Sequence, residues 1–134
     1  MEDWSTLFGS YLNSGVHRVD AELDEAALQQ AATAAGLDFT RIDVHRVHGK
    51  QAFLAAVASA LEFPEYFGMN WDALHDCLTD MSWRRAEGYV LVLSGLEQLA
   101  DAPDFDVELA TRLLASVADY WKQREVPFHI VLSG

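Results

Sequence analysis

A single cysteine, Cys77, in 134 residues excludes any disulfide within the chain, yet this length can bury one hydrophobic core without covalent or metal staples. Cations are scarce as well: nine Lys and Arg stand against 21 Asp and Glu, for a formal charge of −12. That balance disfavours contact with nucleic-acid phosphates or anionic lipid and favours a basic partner. The opening Met1-Glu2-Asp3-Trp4 has neither the basic start nor the apolar stretch of a secretory signal, and no run approaches the length of a membrane span, so a cytoplasmic protein is expected. The sequence carries no Gly-rich phosphate loop, no Gly-x-Ser-x-Gly elbow and no Cys/His pair at a plausible local spacing, which leaves nucleophilic catalysis without a carrier. No linker, low-complexity segment or repeat of roughly 20 to 50 residues interrupts the chain, so one domain is expected.

What is present alternates between helical and strand patterns. Trp4, Leu7, Phe8, Tyr11 and Leu12 fall at helical spacing, with Asn13-Ser14-Gly15 as the stop and Gly15 as its cap. The β-branched segment Val16 to Val19 precedes an alanine-rich helix predicted from Ala21 to Ala35, ended by Gly36. A second unit follows, with a strand over Phe39 to Val44 and a helix from Lys50 to Leu61, closed by Pro64. A helix capped by Asn70 is predicted to reach about Met81. The continuous apolar run Tyr89 to Leu93 suits a strand buried on both faces. Asp101 to Asp106 reads as a turn and helix start with Asp104 or Asp106 as cap, Val107 to Gln123 as an amphipathic helix, and Phe128 to Leu132 as the last strand. The fold class is therefore α/β, with a small parallel sheet of about four strands joined by right-handed crossovers.

The helix beginning at Asn70 carries the chemistry. Asp72, Asp76 and Asp80 are spaced i, i+4, so at ~100° per residue they fall within an arc of roughly 80°. Trp71, Leu74, Cys77, Leu78 and Met81 collect on the other side. Like charges at this spacing oppose helix formation by a few tenths of a kcal/mol per pair, and only Asp72, in the first turn, gains from the helix dipole. A general acid would need one carboxyl in an apolar pocket, and His75 between Asp72 and Asp76 has no such setting on an exposed face, so catalysis is not expected. His45-x-x-His48 with Asp43, and the Asp101, Asp104, Asp106 group, match no metal-ligand pattern and read as turn residues and caps. Cys77, on the apolar side, reads as a buried inert thiol. A binding face remains: Tyr66, Phe67 and Gly68 in a loop beside a row of carboxylates.

The run Pro64-Glu65-Tyr66-Phe67-Gly68-Met69-Asn70-Trp71-Asp72-Ala73-Leu74-His75-Asp76-Cys77-Leu78-Thr79 closely resembles the signature of the barstar family, intracellular bacterial proteins that inhibit a secreted ribonuclease. The resemblance spans Phe39 to Ser133 and divides the chain into a family domain at 39–134 and an extension at 1–38, a helix plus a β–α unit packed on the same domain. It implies a small parallel sheet packed with helices, no enzymatic activity, no cofactor or metal, and an immunity-type protein, expected as a monomer, whose partner is a small basic ribonuclease. It also implies that Tyr66 stacks in the partner's active-site region, that Asp76 takes the centre of its phosphate site, that Asp72 pairs with flanking basic groups, and that Gly68, Asn70, Ala73 and Thr79 form the rim. The departures concern the same face. The family has a tryptophan where His75 stands, an aliphatic residue at Trp71, which here has two placements open to it, inward on the core or outward in the loop, and a small residue at Asp80. Met81 and Trp83 compete for the position of the family's next aromatic. The family's last helix supplies an acidic contact where this chain has Tyr120, beside Asp119. A barstar-like module retargeted to another basic protein or nuclease toxin, without ribonuclease inhibition, is the alternative.

Overall fold

The computed structural model describes residues 4–19 and 23–134. Four parallel strands form one sheet in the order β1-β4-β3-β2: β1 Gly15–Val19, β2 Asp38–Asp43, β3 Tyr89–Ser94 and β4 Phe128–Ser133. The helices are α1 Trp4–Phe8, α2 Glu25–Ala34, α3 Lys50–Leu61, α4 Trp71–Leu78 and α5 Val107–Lys122. The expected α/β class and four-stranded parallel sheet are therefore observed, and the early strand occupies one edge, beside β4.

The two-residue pleat sorts the central strands into two cores. Tyr89, Leu91 and Leu93 of β3, with Phe128, Ile130 and Leu132 of β4, pack against Phe53, Leu54, Val57 and Leu61 of α3, Leu74 and Leu78 of α4, and Leu114 and Val117 of α5. Val90, Val92 and Val131 point the other way, onto Phe8 of α1 and Leu28, Ala31 and Ala32 of α2. Every residue of β3 is buried, as its continuous apolar run requires of a strand covered on both faces. The N-terminal elements thus close the back of the sheet, and the segment containing α3, α4 and α5 closes the front.

Several element boundaries differ from the sequence reading, each for a local reason. The first helix stops at Phe8 rather than Leu12, because Ser10 turns extended and its Oγ accepts the Leu12 amide, starting a separate 3-10 turn at Tyr11–Asn13. Gly15 is the first residue of β1 and caps nothing. The second helix begins at Glu25, where Asp24 accepts the Ala27 amide as N-cap; the predicted start at Ala21 lies outside the described residues. Asp106 caps α5 by accepting from Leu109, whereas Asp104 crosses to α3 and accepts the Lys50 amide, serving a helix whose N-cap residue, Gly49, has no side chain to do so. Residues Leu96–Asp101, to which the sequence reading assigned no element of their own, wind into a 3-10 helix after Gly95, whose φ of +94° supplies the left-handed entry.

Candidate functional site

The site is assembled at the end of α3. Glu62 takes a left-handed conformation (φ 58°), letting the Phe63 amide reach back to the Ala58 carbonyl at 2.9 Å, so the chain leaves the helix sharply. Phe63 then meets Phe67 and Trp83 edge-on, with ring centroids 4.9 and 5.5 Å away, and the Trp83 indole donates to the Leu61 carbonyl at 3.1 Å. Phe67 donates its amide to the Pro64 carbonyl, completing a turn. With three aromatic rings turned inward, the loop places Tyr66 on its outside, 72% exposed. The Tyr66 hydroxyl is held above its ordinary pKa by partial burial and by the nearby Asp80 carboxylate and Cys77, which puts it at the acidic end of the site. Phe67, expected on the binding face, and Trp83 are half-buried and support this loop.

Two side chains, Gln51 and Asn70, tie the loop to α3 and to the start of α4. Gln51 of α3 donates to the Met69 carbonyl, and Asn70 both donates to the Gly68 carbonyl and accepts the Ala73 amide at 2.7 Å. Asn70 is therefore the cap expected from its sequence position, and it fixes the loop and the helix start as one unit. Trp71, for which two placements were open, packs inward against Phe53 and Phe105, with the Lys50 ammonium over its ring. The buried face of α4 consists of Leu74, Cys77 and Leu78. Burial, reinforced by Asp80 and Asp76, pushes the Cys77 thiol up, as befits an inert core residue.

Asp72 and Asp76 lie exposed on the outer face of α4. The helix ends at Leu78, earlier than the predicted Met81, because Thr79 caps it: its hydroxyl donates to the His75 carbonyl at 2.8 Å and contacts that of Asp76. Met81 is left-handed (φ 52°) and buried, and Trp83 is packed against the same core. Asp80 consequently stands just beyond the helix rather than on it, accepting from the Ser82 hydroxyl. Among the described residues, no cation forms an ion pair with Asp72, Asp76 or Asp80, while Arg18, Arg41 and Arg84 are committed to other acids. Asp72 and Asp76 on the helix, with Asp80 just past its end, form an anionic row without ion-pair partners, suited to charge-assisted bonds with guanidinium or ammonium groups.

Helix α5 borders the row. His75 Nε2 lies 3.3 Å from the Ser116 hydroxyl, and the Trp121 indole donates to the Leu78 carbonyl at 2.9 Å. The turn of α5 bearing Tyr120 therefore flanks the C-terminal turn of α4. Sequence reasoning missed Ser116, which anchors His75, and Arg124, whose guanidinium lies over the Tyr120 ring 3.5 Å from its centroid and donates to the Tyr120 carbonyl. The four-residue interval between Tyr120 and Arg124 was the available signal for that contact.

Of the residues weighed as metal ligands, Asp43, His45, Asp104 and Asp106 serve the fold. His45 binds Asp43 at 2.7 Å and the Gly134 carbonyl at 3.0 Å, and Asp104 and Asp106 are the caps described above. No group of three or more His, Cys, Asp or Glu among the described residues could hold a metal ion, and none of the described helices is long and apolar enough to cross a membrane.

Among solved structures, an Aeropyrum pernix ORC2 protein, described in ADPNP-ADP complexes, superposes with a TM-score of 0.59 at 13% identity. The match covers 90% of this chain but 35% of that one; it reflects a shared α/β arrangement only. No curated protein sequence matches. The family model described as barstar, barnase inhibitor, matches residues 37–133, from just before β2 to the end of β4 and including the whole of the loop, α4 and α5. The family is one of inhibitors rather than enzymes, and this chain belongs to it: it is a member of the barstar family with an N-terminal extension.

Proposed function

We propose that this protein inhibits a small basic ribonuclease by laying α4 and the Tyr66 loop into its active-site groove. The observation that carries the reading is the exposed, unpaired pair Asp72 and Asp76 beside a loop whose other aromatics are turned inward to hold it. A ribonuclease groove is lined with cationic groups that hold phosphates, and carboxylates fixed on a helix can occupy those positions without rearrangement. In this arrangement Asp76 takes the centre of the phosphate site, Asp72 pairs with flanking cations, and Tyr66 covers the base-binding region. Gly68, Asn70, Ala73 and Thr79 lie at the rim, and His75 and Asp80 extend the contact. Inhibition then requires no chemistry, only complementary charge and exclusion of RNA. The chain acts in the cytoplasm, neutralising the enzyme before it can reach cellular RNA.

The alternative, a module retargeted to a different basic protein, draws on the α5 border, where Tyr120 stands in place of the expected acidic contact, beside Asp119, and carries Arg124 over its ring. Affinity capture separates the two readings. The immobilised native chain, compared with an Asp72→Ala/Asp76→Ala bait, should retain from its own organism's proteins a small basic ribonuclease that the doubly substituted bait does not retain, and that enzyme should be silenced at one-to-one stoichiometry. Equal capture by both baits would refute the acidic-face reading, and a partner without ribonuclease activity would establish the alternative.

A further inference from the structure

Helix α5 and the turn that follows it contribute charge of the opposite sign to the edge of the proposed face. Arg112, Ser116, Tyr120 and Arg124 recur every four residues, and Ser116 is the member that touches His75 of α4. Arg124 is fixed rather than free: its Nη1 donates to the Tyr120 carbonyl at 2.8 Å while its guanidinium plane covers the Tyr120 ring. Among the described residues no acid forms an ion pair with it: Asp119 accepts from the Gln123 side-chain amide and Glu125 from the Tyr11 hydroxyl. The carboxylates of α4 and this held cation thus belong to adjoining elements, joined by the His75–Ser116 and Trp121–Leu78 bonds. A uniformly basic partner would gain from the first and be repelled by the second.

We infer that Arg124, held over Tyr120, is a specificity determinant that selects a ribonuclease whose basic groove is bordered by an acidic side chain on the side facing α5. This rests on the proposed function, because it assumes that α4 enters the groove. The ring under the guanidinium adds to the selection: an arginine stacked on an aromatic is partly desolvated and pre-oriented, so it offers a carboxylate a fixed two-pronged donor and an incoming cation a fixed repulsive one. Acid on α4 supplies attraction common to basic nucleases, and the α5 edge discriminates among them.

Barnase, the enzyme named in the family description, serves as the probe, with binding to native, Arg124→Glu and Asp76→Asn proteins measured by surface plasmon resonance at low salt and folding of each checked by thermal unfolding. Arg124→Glu should bind barnase about tenfold more tightly than native protein, mainly through faster association, while Asp76→Asn should bind more weakly than native. An Arg124→Glu protein that binds no better than native, including the case in which neither binds, would overturn the inference, because the cation would not then be what discourages this enzyme. Native binding unchanged by Asp76→Asn would instead refute the acidic-helix reading itself. An Arg124→Gln protein, which removes the charge without reversing it, should fall between native and Arg124→Glu; if it matches native, the charge of Arg124 is not the determinant.

Discussion

His129 makes folding of this protein sensitive to mild acid. It sits on the back face of β4, completely buried, with Phe8 at a ring-centroid distance of 5.0 Å and His17 of β1 stacked at 5.7 Å. Its Nδ1 lies 3.5 Å from His17 Nε2, and its Nε2 makes no well-formed hydrogen bond. Burial first, and then the neighbouring His17, hold its pKa down at about 4 against an ordinary 6.5, with the backbone of Asn13 opposing. Between those two values the unfolded chain takes up a proton that the folded chain refuses. Stability is therefore intact above pH 6.5, declines as pH falls from 6.5 towards 4, and loses nothing further from this group below that. At about 1.4 kcal/mol per pH unit the whole loss is about 3 kcal/mol, a large share of the roughly 5 to 15 kcal/mol that holds a domain together. The acidic surface has the opposite tendency, because protonating carboxylates relieves repulsion, so the comparison must be internal. Urea unfolding of native and His129→Leu proteins at pH 7, 5.5 and 4.5 isolates the histidine. The native protein should lose about 2 to 3 kcal/mol more than the variant across that range. Parallel pH profiles would refute the reasoning and mean that His129 accepts a proton while folded.

Other expectations follow from single contacts. Asn70→Ala removes the acceptor of the Ala73 amide and the tie to Gly68; it should cost about 1 kcal/mol in urea unfolding and loosen the Tyr66 loop, seen as faster amide exchange over residues 66–73. Gly95→Ala should cost about 2 kcal/mol or more, since the residue has a φ of +94° and an added Cβ would lie 2.8 Å from the His45 ring. A thermal unfolding midpoint equal to that of native protein would contradict this. Association with the cognate ribonuclease should slow steeply with added salt while dissociation changes little, and salt-independent association would indicate an apolar interface.

The elements legible in the sequence were those set by local pattern. The continuous apolar runs of β3 and β4, the helix from Lys50 to Leu61, and the Asn70 cap were readable because burial on both faces, helical periodicity and capping chemistry each act over a few residues. What escaped depended on contacts between distant segments. Asp104 capping α3 joins residues 54 positions apart, and the pairing of His17 with His129 exists only because β1 and β4 are neighbours in the sheet. The acidic stripe was legible as a spacing, but its third member was not: a continuous helix was extrapolated through Thr79, whose hydroxyl ends it and leaves Asp80 outside. That the Phe67 and Trp83 rings both pack on Phe63 to hold the loop was not legible either, because Trp83 lies beyond α4 in the chain and reaches the loop only through the fold.

Asp76 concentrates the claim that α4 is built for binding rather than for stability. Its carboxylate is exposed, makes no ion pair or side-chain hydrogen bond among the described residues, and stands four residues from Asp72. The decisive measurement is one preparation of Asp76→Ala carried through both urea unfolding and titration against the cognate ribonuclease. The account predicts unfolding within about 0.5 kcal/mol of native protein, or slightly above it as repulsion is relieved, together with a severe loss of inhibition. A loss of several kcal/mol in stability, or inhibition that survives the substitution, would contradict it.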